Sequence, residues 1–155
     1  MIPEQLWLEW VEIQKRSLKL INKEDYSGAL QELDSFLGSG QPTELESEIF
    51  GFRGIVKEEQ GEIEEAKQEY LRAHQLSAKA TYNRYTLELT LGRLCKQVKN
   101  IEEATSWYLR AAQTASEDPR TYTWHLLSTC SSSGCRLSAL SLSWVERLTI
   151  FSQIR

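Results

Sequence analysis

The sequence has few of the residues that build metal-binding, disulfide-linked or catalytic sites. It contains two histidines and three cysteines, which are Cys95, Cys130 and Cys135. An odd number of cysteines without paired spacing gives no disulfide framework and favours a reducing compartment. His125 is spaced too widely from Cys130 and Cys135 for a zinc site, which typically separates ligand pairs by roughly two to four residues. We therefore expect no metal, no cofactor and a cytoplasmic protein.

Long apolar runs, a basic start and positive overall charge are also missing. No run approaches the roughly eighteen apolar residues of a membrane-spanning helix. Residues 1–12 carry three acids and no Lys or Arg, the reverse of a signal peptide. The formal net charge is −4, whereas non-specific nucleic-acid binding needs a basic surface. We expect neither a membrane nor a nucleic acid as a partner.

No catalytic constellation stands out among the residues that are present. The Gly-Ser-Gly at 38–40 lacks the flanking strand and the following Lys-Ser/Thr of a phosphate loop. The many glutamates are more typical of solvated helix faces than of a carboxylate pair for acid–base work. Cys95 lies three residues after Gly92 on an apolar helical face, which favours a packed thiol over a nucleophile. We expect no catalytic residues and a protein that is not an enzyme.

An internal repeat is the strongest pattern in the 155 residues. Segments 25–38, 62–75 and 100–113 align without gaps, and each has a large apolar residue three positions before an alanine. The alanines are Ala29, Ala66 and Ala104, which lie 37 and 38 residues apart. The second and third segments add an aromatic residue (Tyr70, Tyr108) and a further alanine (Ala73, Ala111). These spacings place the repeated residues on one face of a helix.

Polar residues mark where these helices begin. Asp25 and Asn100 are good N-caps, and Glu103 is placed to complete a capping box with Asn100. Thr43 is placed to cap an earlier helix over residues 44–60.

Three glycines occupy repeated or turn positions. Gly54 and Gly92 each lie twelve residues before a repeat alanine, although glycine inside a helix costs about 1 kcal/mol relative to alanine. We expect a neighbouring helix to cross at both, leaving no room for a side chain. Gly61 fits the tight turn between two helices.

This order of glycine, turn glycine, alanine, aromatic and alanine resembles the tetratricopeptide repeat. Residues 47–80 and 85–118 match well, 10–43 is a degenerate unit, and 120–155 is a candidate fourth. The resemblance implies a single all-α domain: a right-handed superhelical stack of antiparallel helix pairs, an α-solenoid of about seven or eight helices. The spacings of 37 and 38, instead of 34, put the regularity of the superhelix in doubt.

The candidate fourth unit begins with clear helix signals. Asp118 is an N-cap and Pro119 suits the first helical position, ahead of a helix over residues 121–130. A later apolar stripe consists of Leu137, Leu140, Trp144, Leu148 and Phe151. Repeat arrays normally need a polar cap at each end. The last helix therefore either folds back on the stack or meets another chain, which would give a homodimer.

Charge is divided unevenly between the two best units. Residues 44–69 carry nine glutamates against three basic residues, and the unit that follows is basic, with Glu88 as its acid. Two readings remain open. Neighbouring helix pairs attract one another weakly, or a groove with two electrostatic zones orients a partner.

The resemblance also implies where a partner binds, because the first helix of each tetratricopeptide pair lines the concave surface. The residues at that helical phase are Gln14, Glu48, Ile55, Glu58, Glu59, Thr86, Leu89, Arg93, Lys96, Gln97 and Trp124. Arg93 with Lys96 could hold a carboxylate, although each residue could equally be an ordinary solvated side chain. Trp107 is expected to point off the main stripe and to be exposed on the convex side.

The function that we expect is a non-catalytic protein–protein interaction module. An adaptor or scaffold that holds a peptide or protein in the groove is the leading hypothesis. The alternative is a dedicated protector of one partner, such as a toxin immunity protein or an effector chaperone, whose acidic segment would mask a basic site. That alternative is drawn by analogy.

Overall fold

The computed structural model describes residues 3–38, 42–78 and 82–117. Within these ranges the chain forms six α-helices and no strand, which confirms the predicted all-α class. The helices are α1 (Glu4–Ile21), α2 (Tyr26–Leu37), α3 (Thr43–Glu59), α4 (Ile63–Leu76), α5 (Tyr82–Gln97) and α6 (Ile101–Glu117). The predicted fourth unit at 120–155, with Trp124 and the stripe over 137–151, lies outside the described residues.

The six helices form three antiparallel pairs, α1–α2, α3–α4 and α5–α6. In the second pair the start of α3 meets the end of α4, where the Ser47 hydroxyl donates to the Ala73 carbonyl over 2.7 Å. In the third pair, Thr114 near the end of α6 donates to Glu88 in the first half of α5. The helix pairing agrees with the prediction from the repeat.

One turn structure recurs at the period of the sequence repeat. Glu24, Gly61 and Lys99 each have a positive φ, of 60°, 80° and 63°. The N–H of the next residue donates in each case to a carbonyl five positions back, over 2.9, 3.0 and 2.8 Å. This is the hydrogen bond of a Schellman turn. The sequence repeat is therefore also a backbone repeat, although glycine occupies the left-handed position in one of the three turns.

The predicted caps at Asp25 and Asn100 are confirmed. Asp25 Oδ1 accepts a hydrogen bond from the Gly28 N–H over 2.9 Å. Asn100 Oδ1 accepts from the Glu103 N–H over 3.3 Å, and the Asn100 amide donates to Glu103 Oε2 over 2.8 Å. The prediction for Thr43 was wrong by one position. Thr43 is the first residue of α3, and the residue before it, a proline, makes no side-chain cap.

We expect Asp25→Ala to lower the free energy of unfolding by about 1 kcal/mol, because the Gly28 N–H loses its side-chain acceptor. Urea denaturation followed by far-UV circular dichroism measures the change. Asp25→Asn is the control, since its amide oxygen keeps the cap and should preserve most of the stability. Equal losses in the two variants would show that the cap contributes little.

The repeated glycines and tyrosines pack against each other within each pair. A Cβ atom built on Gly54 would lie 2.7 Å from Tyr70 Cε1, and one on Gly92 would lie 2.7 Å from Tyr108 Cε1. Both distances are shorter than carbon atoms tolerate. The prediction that a neighbouring helix crosses at these glycines is confirmed, and the group that fills the space is the repeated tyrosine ring of the second helix of each pair.

The pairs stack so that α3 lies beside α5 and α4 lies beside α6. Arg93 on α5 reaches Glu58 on α3 at 2.7 Å, and Lys67 on α4 reaches Glu103 on α6 at 2.8 Å. Apolar residues of α1, α2 and α3 form one buried cluster, and those of α4, α5 and α6 form another. None of the described helices combines the length and apolar character that crossing a bilayer requires.

Candidate functional site

An ion pair joins the C-terminal ends of α3 and α5, where several of the predicted groove residues meet. Arg93 Nη2 lies 2.7 Å from Glu58 Oε1 and donates to Oε2 over 2.8 Å. The Tyr70 hydroxyl donates to the same Oε2 over 3.2 Å. Glu58 therefore links the acidic unit to the basic one and also fastens α4 to α3.

Tyr70 is fixed by the fold and acts here as a hydrogen-bond donor. Its ring covers Gly54, and it is 3% exposed. Burial raises the pKa of the Tyr70 phenol well above its ordinary value, and the Glu58 carboxylate raises it further. The phenol therefore stays protonated at neutral pH and keeps its donor directed at Glu58.

We call Glu58, Glu59, Arg93, Lys96 and Gln97 the α3–α5 strip. Glu59, Lys96 and Gln97 are exposed, while Glu58 and Arg93 are half-buried. In the part of the chain that the structure describes, Glu59 and Lys96 make no ion pair. The strip thus presents exposed groups of both charge signs on two adjacent helices.

Within the described ranges, none of the other predicted groove residues is exposed. Gln14, Glu48 and Thr86 are buried, and the Thr86 hydroxyl donates to the Asn83 carbonyl over 2.8 Å. Ile55 and Leu89 are half-buried, each against an apolar cluster. Trp124 lies outside the described residues. The structure therefore brings together the predicted residues near the C-terminal ends of α3 and α5. Glu48 and Thr86, which lie near the N-terminal ends of these helices, are in the interior.

A buried polar network in the first half of α5 was not predicted from the sequence. Glu88 is 2% exposed. His74 Nε2 lies 2.9 Å from Glu88 Oε1, Arg84 Nε lies 3.3 Å from the same oxygen, and the Thr114 hydroxyl donates to Oε2 over 2.7 Å. This carboxylate connects α4, α5 and α6. The helical spacing of Glu88 could have indicated its burial, since Leu91 and Cys95, three and seven residues later, lie on the same apolar helical face.

A second polar contact lies next to this network. The Asn83 amide donates to the Ser47 hydroxyl over 3.1 Å, and Ser47 in turn donates to the Ala73 carbonyl. Ser47 belongs to α3 and Asn83 to α5, so the contact connects two neighbouring helix pairs near the N-terminal ends of these helices. Polar groups buried in this way need partners to offset their lost hydration.

The prediction that Trp107 is exposed was wrong. Trp107 is buried, its ring stands edge-on to His74 with centroids 5.2 Å apart, and the Arg110 guanidinium lies 4.8 Å from the ring centroid. Its helical phase faces the preceding even helix, α4, and not solvent. The sequence spacing predicted that Trp107 points away from the main apolar stripe, but it did not show that a neighbouring helix occupies that side.

Cys95 is a free, buried thiol beside the ion pair of Lys67 and Glu103. Burial raises the Cys95 pKa, which keeps the thiol protonated and unreactive. The hydrogen bond from Lys67 lowers the pKa of Glu103 and raises that of Lys67. Among the described residues, no three His, Cys, Asp or Glu side chains lie together as metal ligands.

The α3–α5 strip contains the predicted groove residues whose side chains are exposed, and it is therefore the part that a large partner could contact. Its acidic side comes from the end of α3 and its basic side from the end of α5, and the Glu58–Arg93 pair holds them in register. Comparison of the chain with models of known protein families gave no match, and neither did comparison with curated protein sequences.

Proposed function

We propose that the chain is a non-catalytic, tetratricopeptide-like module that binds another protein through the α3–α5 strip and acts as a cytoplasmic adaptor or scaffold. The proposal is carried by two exposed side chains of opposite charge, Glu59 and Lys96, which lie on adjacent helices near the Glu58–Arg93 ion pair. A free thiol at Cys95 is compatible with a reducing compartment.

The repeated backbone supports the tetratricopeptide-like part of the proposal. Left-handed turn residues recur at 24, 61 and 99, and the glycine–tyrosine contacts recur at the same spacing. Units that share turn and crossing geometry stack by a similar step, which is how solenoid surfaces arise. In this proposal the stack is a right-handed superhelix with its odd helices on the binding side.

The charges of the strip suggest the chemistry of the partner. Arg93 already has an internal carboxylate, so Lys96 is the cation that is open to an acidic group of a partner. Glu59 offers an acceptor to a basic or N–H group on the same ligand. Opposite charges on one surface orient a bound chain and exclude the reversed orientation. A peptide or helix with an acidic group and a basic group near each other fits this strip.

Site-specific photo-crosslinking tests the proposal. A photoreactive amino acid replaces Lys96 in the full chain, which is expressed in its native host and irradiated. We expect one covalent adduct with another protein, since Lys96 is exposed on the proposed binding side. Mass spectrometry of the adduct identifies the partner and the peptide that is attached.

The matched control places the same photoreactive group at Arg72, an exposed cation on α4. Arg72 belongs to the layer of even helices, so we expect little of that adduct there. Adducts of equal yield at both positions, or a specific adduct at residue 72 alone, would show that the strip is not the binding surface.

A second candidate, the dedicated protector, is favoured by the surface acids of the second unit. Glu44, Glu59, Glu64 and Glu65 are exposed and make no ion pair within the described residues. A surface of this kind suits a folded basic partner, such as a toxin whose active site it covers. Nanomolar binding to one large basic protein would favour the protector, and micromolar binding to short peptides would favour the adaptor.

A further inference from the structure

One face of α6 exposes several apolar side chains at helical spacing. This face, which we call the α6 end face, consists of Ile101, Thr105, Tyr108, Leu109 and Ala112, all of them exposed. Ile101 is 59% exposed and Leu109 is 67% exposed. Contiguous apolar residues on a helix surface mark a place where another element docks.

The preceding repeat shows how the same positions are covered. Thirty-eight residues earlier, α4 has Ile63, Tyr70 and Leu71 at the phases of Ile101, Tyr108 and Leu109. Ile63 and Leu71 pack against the buried cluster that α5 and α6 complete, and Tyr70 is buried. The α6 end face is thus the surface on which a further helix pair of the same kind would pack.

The chain itself continues with residues suited to that place. The odd-numbered helices begin at residues 4, 43 and 82, so the same step of thirty-nine residues places the next helix start at 121. The sequence independently predicts a helix there, after the cap signal of Asp118 and Pro119. Residues 120–130 include four large apolar side chains, Tyr122, Trp124, Leu126 and Leu127.

We propose that residues 118–155 of the same chain cover the α6 end face, as α5 and α6 cover α4. A segment tethered directly to the end of α6 has a high effective concentration at this face. Apolar side chains on both sides supply the free energy of docking by leaving water. The docking does not involve the α3–α5 strip, so it stands whether or not the strip binds a partner.

A pair of leucine substitutions in the full chain tests whether the face is covered. Leu109→Asp is expected to lower the melting temperature by about 4 °C or more, because a charge would be buried beneath the docked segment. Leu8→Asp is the control, since Leu8 is 58% exposed on α1 at the other end of the stack. It should shift the melting temperature by about 1 °C or less. Equal small shifts in the two variants would overturn the proposal.

Crosslinking then shows which chain covers the face. Thr105→Cys adds a thiol at the face, and a bifunctional maleimide links it to Cys130 or Cys135. We expect an intrachain link in material with the mass of one chain, and none to these cysteines from Leu8→Cys. Links formed between two chains instead would show that a second copy covers the face, and that result would overturn the proposal. Failure of residue 105 to link to Cys130 or Cys135 would overturn it as well.

Discussion

Glu88→Ala is expected to lower the free energy of unfolding by about 3–5 kcal/mol, the range found when one partner of a buried charged network is removed. The carboxylate receives contacts from His74, Arg84 and Thr114, which belong to three different helices. Without it, Thr114 and His74 are left buried next to a cavity with no acceptor. Urea denaturation followed by tryptophan fluorescence and by far-UV circular dichroism measures the loss.

Two further variants separate this network from a general effect of charge. Glu88→Gln keeps an acceptor oxygen and the side-chain volume, so its loss should be smaller than that of Glu88→Ala. Glu12 also pairs with a cation, Lys15, but both side chains are more than half exposed. Glu12→Ala should therefore leave the denaturation midpoint unchanged within error. Similar midpoints for Glu88→Ala and Glu12→Ala would contradict the role assigned to Glu88.

Gly54→Val is the second large effect that we expect, a loss of about 1–3 kcal/mol through overpacking. The new Cβ would meet the ring of Tyr70 at 2.7 Å. Because Tyr70 is buried and its hydroxyl is fixed on Glu58, the ring cannot turn aside without breaking that hydrogen bond. Helix propensity would predict the opposite sign, since glycine is a poorer helix former than valine. Thermal and urea denaturation of the full chain measure the change.

Gly38→Val is the matched control for this substitution. The Cβ built on Gly38 lies 3.7 Å from the nearest atom, a backbone oxygen, and the residue has ordinary right-handed φ and ψ. We expect little change or a slight gain in stability there. A loss at Gly38 as large as at Gly54 would mean that the contact with Tyr70 does not explain the glycine.

The sequence predicted the helix pairs, the two N-caps and the glycine crossings because each depends on residues close together in the chain or repeated at one phase. It did not predict the left-handed residues at Glu24 and Lys99, since neither is glycine and the Schellman hydrogen bonds hold them in that conformation. A repeat alignment transfers the turn from Gly61, but residue type alone does not reveal it.

The candidate site was predicted in part. Helical phase identified Glu58, Arg93 and Lys96 as neighbours on one side of the stack. Helical phase gives the direction of a side chain around the helix axis, but it does not give the burial of each residue along that face. Glu48 and Thr86 share the phase of the strip but are buried. The sequence did not single out Glu88 as a buried acid, although Leu91 and Cys95 lie on the same helical face and are buried.

Isothermal titration of the crosslinked partner, once it is identified, tests the binding surface most directly. Lys96→Glu changes an exposed side chain of the α3–α5 strip, and Arg72→Glu makes the same charge change in the layer of even helices. We expect Lys96→Glu to raise the Kd at least about tenfold, equivalent to about 1.4 kcal/mol, and Arg72→Glu to leave it unchanged. An unchanged Kd for Lys96→Glu together with a weakened one for Arg72→Glu would contradict the proposed binding surface.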